Sequence, residues 1–453
     1  MRTRGLTAAV LGAVVATSVA LPAGGEAAAI DVTTAADDYG SGPGTCSLRE
    51  AVTSANANAN FAGCTGTGAY GTDVIALPEG TFRLTRPGAG EDANATGDID
   101  ISSPLQITHS VAGRAVIDAA GLDRAFHVNS TAPVSITGVQ IDHGQSGTDG
   151  GGILQQGTGA LTVARSTIAD SKGNDGGGIA SYTTTNVVNS TIARNMANGS
   201  GGGIYAPGAS SVSIRNVTIA LNTADANADG FGEGGGFRTA DTFSSTNSLI
   251  GDNQDLSPLA ADKAPDCASG PSFFPRYTLI EVFTPASCLV GFNPGTNITG
   301  SDPQLEVFAP NGGSGETFAL QPDSPALDAG TGTGIDVCEA SDERGVPRKL
   351  GGVCDLGAYE YVECAGLPVT VVGTPGPDAL DGTKFGRGIL GLGGADVLSG
   401  RGGADTICAG AGKDALEGGA GRDKLKGGAG RDRCDGGPGK DKAPRCEKTK
   451  RVP

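Results

Sequence analysis

The chain has 453 residues, among them 77 Gly, 10 Cys, 2 Met and no Trp, and a formal net charge of −17. That length exceeds a single compact core and asks for several domains or an elongated repeat array. Abundant Gly with few helix formers excludes a helical bundle and suits short strands joined by tight turns, and the acidic balance argues against nucleic acid or anionic lipid as partners.

Residues 1–29 read as an export leader. Arg2 and Arg4 supply the charged start, Leu6 to Ala20 is apolar and uncharged, and Ala27-Ala28-Ala29 offers a small-residue cleavage site. The apolar run falls short of the roughly 20 residues a membrane span needs. Nothing later is apolar enough, so the mature chain is expected to have no membrane span. In an exported chain ten Cys point to disulfides. Nearest-neighbour pairing gives Cys46–Cys64, Cys267–Cys288, Cys338–Cys354, Cys364–Cys408 and Cys434–Cys446, although spacing alone does not determine connectivity. No C-x-x-C pair is present, and His109, His127 and His143 stand apart from the Cys groups, which disfavours a cysteine zinc site.

Residues 30–110 read as an amino-terminal cap. Ser47-Leu48-Arg49-Glu50 fits a helix capping box, and Ala51 to Asn58 continues an Ala-rich turn or two. This helix is expected to lie across the opening of the following solenoid, held by Cys46–Cys64.

Residues 111–362 carry the first repeat system, clearest from about Val111 to Asn253. Glycine triplets begin at Gly150, Gly176, Gly201 and Gly234. Between them recur Ser166-Thr167-Ile168-Ala169, Ser190-Thr191-Ile192-Ala193, Val217-Thr218-Ile219-Ala220 and Ser248-Leu249-Ile250-Gly251. The Ile residues are 24, 27 and 31 residues apart, a period that signifies a solenoid or propeller. Three residues after each marker stands Ser171, Asn195, Asn222 or Asn253, as a stacked polar ladder at one corner of each coil requires. The pattern predicts a right-handed parallel β-helix with Ile and Val inside and glycines at turns of positive φ. A WD40-type propeller would need a longer period and Trp-Asp signatures, both missing.

Cys46-Ser47-Leu48-Arg49-Glu50-Ala51 resembles the CSLREA motif of exported bacterial proteins. Gly97-Asp98-Ile99-Asp100-Ile101, Ile117-Asp118 and Gly121 to Val128 resemble the rest of that family's amino-terminal half. Ser324 to Gly330, Asp342-Glu343-Arg344-Gly345 and Cys354 to Glu360 resemble the close of the choice-of-anchor Q β-helix family. Together these cover Ile30 to Tyr361. The resemblance implies an exported β-helix, often at the cell surface, and brings no catalytic residues, so none are assigned.

Two functions are open for this body. One is a structural or adhesive scaffold, with cell-wall or extracellular polysaccharide as candidate partner. The other is an extracellular polysaccharide lyase or hydrolase acting in a β-helix groove, which needs clustered carboxylates or an Arg/Lys base on one face. Asp142-His143 beside Gly144 could act as an acid/base pair but reads more simply as a surface turn. Asp149, Asp170 and Asp175 lie near coil turns without forming a diagnostic set, and fold alone does not supply activity.

After a linker over 363–372, residues 373–446 repeat with a strict period of nine, and 447–453 form a basic tail. From Gly373 onward 15 basic residues face 11 acidic ones, a net of +4, which leaves the body at −21. Units such as Gly418-Gly-Ala-Gly-Arg-Asp423 and Gly427-Gly-Ala-Gly-Arg-Asp432, with Leu two residues after the Asp, resemble the hemolysin-type (RTX) nonapeptide and imply Ca2+ binding in a parallel β-roll. Calcium wants six to eight oxygen ligands. The candidates are Asp378, Asp396, Asp405, Asp414, Asp423, Asp432 and Asp441, with backbone oxygens at Gly393, Gly402, Gly410, Gly419 and Gly428. Two nonapeptides make a turn, so Asp residues 18 apart should share ions. In the unit Gly382 to Leu390, Phe385 and Arg387 replace a Gly and the Asp, and that unit is expected not to ligate. Cys434 and Ala443 replace the apolar residue, so the roll is expected to end there. Lys413, Arg422, Arg431 and Lys440 should point outward. These features together predict a secreted or cell-surface calcium-binding protein whose roll is disordered where calcium is scarce.

Overall fold

The computed structural model describes residues 27–451 except 41–43, 110–112, 260–262, 285–286, 291–294, 333–336, 349–352, 375, 383, 385 and 387. The expected leader therefore lies outside the described residues up to position 26. Its last three residues open the strand Ala27–Asp31, which pairs in parallel with Ala69–Ala76.

The body is a parallel β-helix. One coil runs through the strands Ile179–Ser181, Thr184–Val188, Thr191–Ala193 and Met196–Ala197. Each pairs in parallel with its counterpart in neighbouring coils. Register is kept while coil length changes. Phe82, Ile117, Ile141, Ile168, Ile192, Ile219, Ile250 and Ile280 are successive partners along one column, and all are buried. Ile99, Phe126, Ile153, Ile179, Ile204, Phe237 and Cys267 form another. Burying one such side chain contributes about 1.5–3 kcal/mol.

Two backbone devices hold the corners. The first glycine of each triplet is left-handed, with φ of +74° at Gly150 and +66° at Gly176, a conformation that Cβ-bearing residues resist. At another corner Asn189, Asn216 and Asn247 also take positive φ, which Asn tolerates better than most residues.

The polar ladder forms inside the helix. Asn195 Nδ2 donates to Asn222 Oδ1 and Asn222 Nδ2 to Asn253 Oδ1, each at 3.0 Å. The same oxygens accept the backbone amides of Asn195 and Asn222, and Asn195 Oδ1 accepts that of Ser171. The ladder ends on buried Asp266, whose Oδ1 accepts from Asn253 Nδ2 at 2.9 Å. Burial pushes the Asp266 carboxyl up to about 7.

The amino end of the core is covered by a helix, and towards the other end aromatic rings fill the core. At the amino end the helix Leu48–Ala57 carries the capping box, with Ser47 Oγ accepting from the Glu50 amide and Glu50 Oε2 from the Ser47 amide. Leu48, Ala51, Val52 and Ala55 pack on Ile30, Ile75 and Ile99. Towards the other end Phe237, Phe243 and Phe273 pack against one another, the first two stacked at 4.1 Å. Five disulfides join Cys46 to Cys64, Cys267 to Cys288, Cys338 to Cys354, Cys364 to Cys408 and Cys434 to Cys446.

Several boundaries differ from those read in the sequence. Coils begin before residue 111, since Ala69–Ala76 and Leu105–Thr108 already stack in parallel with Val134–Thr137 beyond them. These early coils lack glycine triplets and Asn markers, so only their short apolar alternation signals them. The last stacked strand is Ile298–Thr299. The chain then returns along the outside of the helix rather than closing its end. Glu343 lies 2.8 Å from Thr167 Oγ1 and 2.6 Å from Thr191 Oγ1, and Thr218 Oγ1 accepts the Ala358 amide. Asn189 Nδ2 donates to the Ser341 carbonyl and Asn216 Oδ1 accepts the Glu339 amide. Beneath this segment Arg344 pairs with Asp342 at 2.7 Å and Arg348 with Glu360 at 3.1 Å, all buried.

The expected linker and tail are parts of the roll. Leu367–Val372, an apolar β-branched run, pairs in parallel with Gly388–Leu390 and forms the first layer. Lys448–Lys450 pairs with Arg433–Asp435 as the last, pinned by Cys434–Cys446 and by Arg451 forking onto Asp435 at 2.6 Å.

Replacing Asn222 by Ala strands several buried donors and acceptors at once. The variant is expected to lose on the order of 3 kcal/mol, read as a lower denaturant midpoint of the body in calcium. Unfolding at the wild-type midpoint would show that the ladder contributes nothing.

Candidate metal centre

Two parallel sheets of short strands make the roll, offset by 18 residues per turn. Ala379, Val397, Ala415 and Arg433 are successive register partners on one side, and Gly388, Thr406 and Lys424 on the other. Ile389, Leu398, Ile407, Leu416, Leu425 and Cys434 meet in the centre. Lys413, Arg422, Arg431 and Lys440 are exposed.

The seven Asp residues all turn inward and are buried. One oxygen of each carboxylate is used between coils. The amides of Asp378, Asp396, Asp405 and Asp423 donate at 2.9 Å to Oδ1 of Asp396, Asp414, Asp423 and Asp441, and that of Asp414 at 3.0 Å to Asp432. The other oxygen is left over. In Asp396, Asp414, Asp423, Asp432 and Asp441, Oδ2 is buried with no hydrogen-bond partner. A buried carboxylate oxygen without a partner costs free energy unless a cation or a proton meets it.

What surrounds these oxygens is also oxygen. A Cβ on Gly418 would stand 2.6 Å from Asp423 Oδ2 and 2.7 Å from the Gly436 carbonyl oxygen of the next coil. Gly391, Gly427 and Gly436, which open their own nonapeptides, face Oδ2 of Asp396, Asp432 and Asp441 and a carbonyl in the same way. A cradle of carboxylate and carbonyl oxygens with no donor, kept open by the missing Cβ, fits a hard divalent cation such as calcium.

The glycines named as ligands in the sequence and those that line the cradles hold different places in the repeat. Glycines open the nonapeptides of Asp396, Asp423, Asp432 and Asp441, whereas Ala409 opens that of Asp414. Of the glycines expected to offer backbone oxygens, Gly410, Gly419 and Gly428 make left-handed turns against carbonyls of the preceding coil, and Gly393 and Gly402 pair with Ala411 and Ala420. Asp378 differs from the other aspartates, because its Oδ2 already accepts from the Thr374 amide at 2.6 Å and hydroxyl at 3.1 Å. Glu447, placed by sequence in the tail, takes the place of a further Asp by accepting the Asp432 amide at 2.6 Å. Its signal was faint, since it lies 15 residues after Asp432 rather than 18. Phe385 and Arg387 of the divergent unit lie outside the described residues.

Burial raises the carboxyls of Asp396, Asp423 and Asp432, and the neighbouring carboxylates add to the effect. For a raised acid the folded state is favoured at low pH and loses that advantage as pH rises through the carboxylate range. A divalent ion removes this penalty at neutral pH. Asp435, pulled down to about 2 first by its hydrogen bonds from Arg451, acts in the opposite sense from the surface.

The acids noted in the body fall into two neighbouring pairs, Asp149 with Asp175 and Asp142 with Asp170. Asp149 accepts from Tyr182, Asp170 pairs with Arg194, and Asp175 accepts the Ser200 amide. Asp142 takes 2.6 Å from Gln140 Nε2, and burial raises it to about 6. His143 Nδ1 lies 3.2 Å from Asp118 Oδ1, in an open groove with Arg83, Asp170 and Lys172.

Residues 389–416 and 409–443 match the family model of the RTX calcium-binding nonapeptide repeat. No curated protein matches the chain. Among solved structures, the crystal structure of pectate lyase Pel9A is similar over 73% of this chain and 96% of that one, at 16% identity and a TM-score of 0.40, a likeness too loose to bear on activity. The repeats support calcium binding by the carboxyl-terminal module.

Gly418→Ala places a methyl group in the cradle of Asp423. Ala409 occupies the same position beside Asp414, so that repeat already carries the methyl group and serves as the internal comparison. Calorimetric titration is expected to count one calcium ion fewer, with the circular dichroism of the loaded protein retained. Full stoichiometry would place the ion elsewhere.

Proposed function

We propose that this is an exported, extracellular calcium-binding protein whose roll folds on calcium outside the cell and whose β-helix body serves as a structural or adhesive scaffold. The observation that carries the reading is the column of buried, partnerless Oδ2 atoms in Asp396, Asp414, Asp423, Asp432 and Asp441. Carboxylates stacked this way repel one another around a thin apolar core, so binding free energy becomes folding free energy. Each site filled at a hundredfold excess over its Kd adds about 2.7 kcal/mol.

Export is supported by the disulfides, which persist in oxidising compartments, and by the leader-like start of the sequence. The likeness of Cys46–Ala51 to CSLREA proteins, and of Ser324–Gly330 and Cys354–Glu360 to the choice-of-anchor Q close, agrees with a surface location. No helix among the described residues is long and apolar enough to cross a bilayer. A scaffold role for the body is supported by how its polar groups are used, since Asn195, Asn222, Asn253, Glu343, Arg344 and Arg348 all join one coil or segment to another.

The rival reading is an extracellular polysaccharide lyase or hydrolase. It would use the groove of Arg83, Asp118, His143, Asp170 and Lys172, where cationic and acidic side chains share one open surface.

Far-UV circular dichroism of the full chain is expected to gain β signal when calcium is added to the stripped protein, with half-saturation at or below about 1 mM, as for extracellular calcium modules. A spectrum indifferent to calcium would remove the reading. For the body, retention on cell-wall or plant polysaccharide without release of sugar products is the expected result. Product release lost in His143→Ala would establish the enzyme instead.

A further inference from the structure

Three sequence signatures that the calcium module leaves unused meet near the amino-terminal end of the body. Arg49, from the segment Cys46–Ala51, is fully buried. Its Nε donates to Asp37 Oδ1 at 2.6 Å. Its Nη1 and Nη2 donate to the carbonyls of Asn94, Thr96, Asp98 and Gly97, between 2.8 and 3.3 Å. Asn94 in turn accepts the Asp100 amide at 2.7 Å and donates to the Asp100 carbonyl at 2.9 Å. The loop stretch from Asn94 to Asp98 is thereby held beside the first sheet, and Asp92 lies at its exposed outer end.

On that sheet Asp100 and His127 are register partners in adjacent parallel strands. His127 Nδ1 stands 3.0 Å from Asp100 Oδ1 and 3.7 Å from Asp92 Oδ1. One donor atom from each of the three residues lies within 4.8 Å of the others. Asp100 is 3% exposed, and its Oδ2 is buried with no hydrogen-bond partner. Two carboxylates and an imidazole therefore converge with an acceptor to spare.

Both ring nitrogens of His127 have an oxygen within hydrogen-bond reach, Nδ1 at Asp100 and Nε2 at Gln156. The ring Nε2 lies 3.1 Å from Gln156 Oε1. With the ring proton on Nε2 donated to that oxygen, Nδ1 turns its lone pair toward the two carboxylates. A partner on the far nitrogen is how ligating histidines are usually held. The spacing also suits a small ion. A tetrahedral centre with bonds of about 2.0–2.1 Å has ligand–ligand edges of about 3.3 Å, which the two observed separations bracket. Calcium, with longer bonds, takes oxygen ligands, whereas a mixed imidazole and carboxylate set suits zinc and its neighbours.

We propose that Asp92, Asp100 and His127 form a second metal site, for a zinc-class divalent ion, independent of the calcium roll. The Asp92 side chain is 79% exposed, so the site opens to solvent and leaves room for water or an external ligand.

The test is calorimetric titration of the calcium-saturated full chain with Zn2+, with metal content measured after gel filtration. One zinc ion per chain is expected. His127→Gln, Asp100→Asn and Asp92→Asn should each weaken binding by about tenfold or more, with calcium uptake unchanged. Asp92 sits in an exposed loop, so its variant reports even if the buried ones fold poorly. His143→Gln, at the exposed imidazole, should bind like the wild type. Absent zinc uptake, uptake that survives His127→Gln and Asp92→Asn, or uptake lost in His143→Gln would overturn the proposal. In each of those cases the three side chains form only an ion pair with protonated His127.

Discussion

In a parallel stack a coil cannot satisfy its own backbone, because its strand amides point to the coil before or after. Every polar group placed inside must obey the same rule and find its partner one coil away. This protein places two columns of polar side chains under that rule, and their chemistry decides what each half of the molecule needs. Asn carries both a donor and an acceptor. In the body, Asn195, Asn222 and Asn253 therefore close on one another and on the backbone. Asp when ionised only accepts. In the roll Oδ1 of Asp396, Asp414, Asp423, Asp432 and Asp441 takes an amide 18 residues away, and Oδ2 of each has no donor. The same stacking geometry is thus self-sufficient in one half and dependent on a cation in the other.

The two halves are joined so that the self-sufficient one supports the other. Tyr359 OH donates to the Val369 carbonyl at 2.7 Å, and Cys364 is bonded to Cys408. Val346, Cys364, Val369 and Val372 pack together beneath the first layer of the roll. That layer is therefore held against the body by a hydrogen bond and apolar contacts, none of which involves the Asp column. Since each coil of a repeat array touches only its neighbours, order can spread outward from there to the pinned end at Asp435 and Arg451.

The segment after the last coil explains why Thr stands beside the marker residues Ile168, Ile192 and Ile219. Ile168 and Ile192 face the core, while Thr167 and Thr191 face outward, where both meet Glu343. Burial holds the Glu343 carboxyl well above the usual range. Arg344, stacked 3.6 Å from the Tyr359 ring, and Arg348 tie the returning chain to itself and to Asn189. A β-helix otherwise presents this sheet face to water. Here it is covered, and the first face, with Asp100 and His127, keeps its opening to solvent.

Much of this was legible in the order of residues. The intervals of 24–31 marked the coils, Asn195, Asn222 and Asn253 marked the ladder, and the period of nine placed the Asp column, because periodicity is written locally and survives any folding. The earliest coils, the strand Leu367–Val372 and the strand Lys448–Lys450 lacked that periodic mark. Whether an atom has a partner is not a local property. Asp378 is satisfied by Thr374 and Asp396 is not, although both occupy the same slot of the repeat. The glycines that open nonapeptides matter because a neighbouring coil brings a carbonyl to their faces. Asp100 and His127 meet only because the coils stack in register, and Asp92 reaches them from a loop whose far side is held by Arg49, more than 40 residues away. The sequence by itself determined the repeats and the ligand chemistry they carry. Only the tertiary stack decided which oxygens were left without a hydrogen, since that depends on the coil lying above.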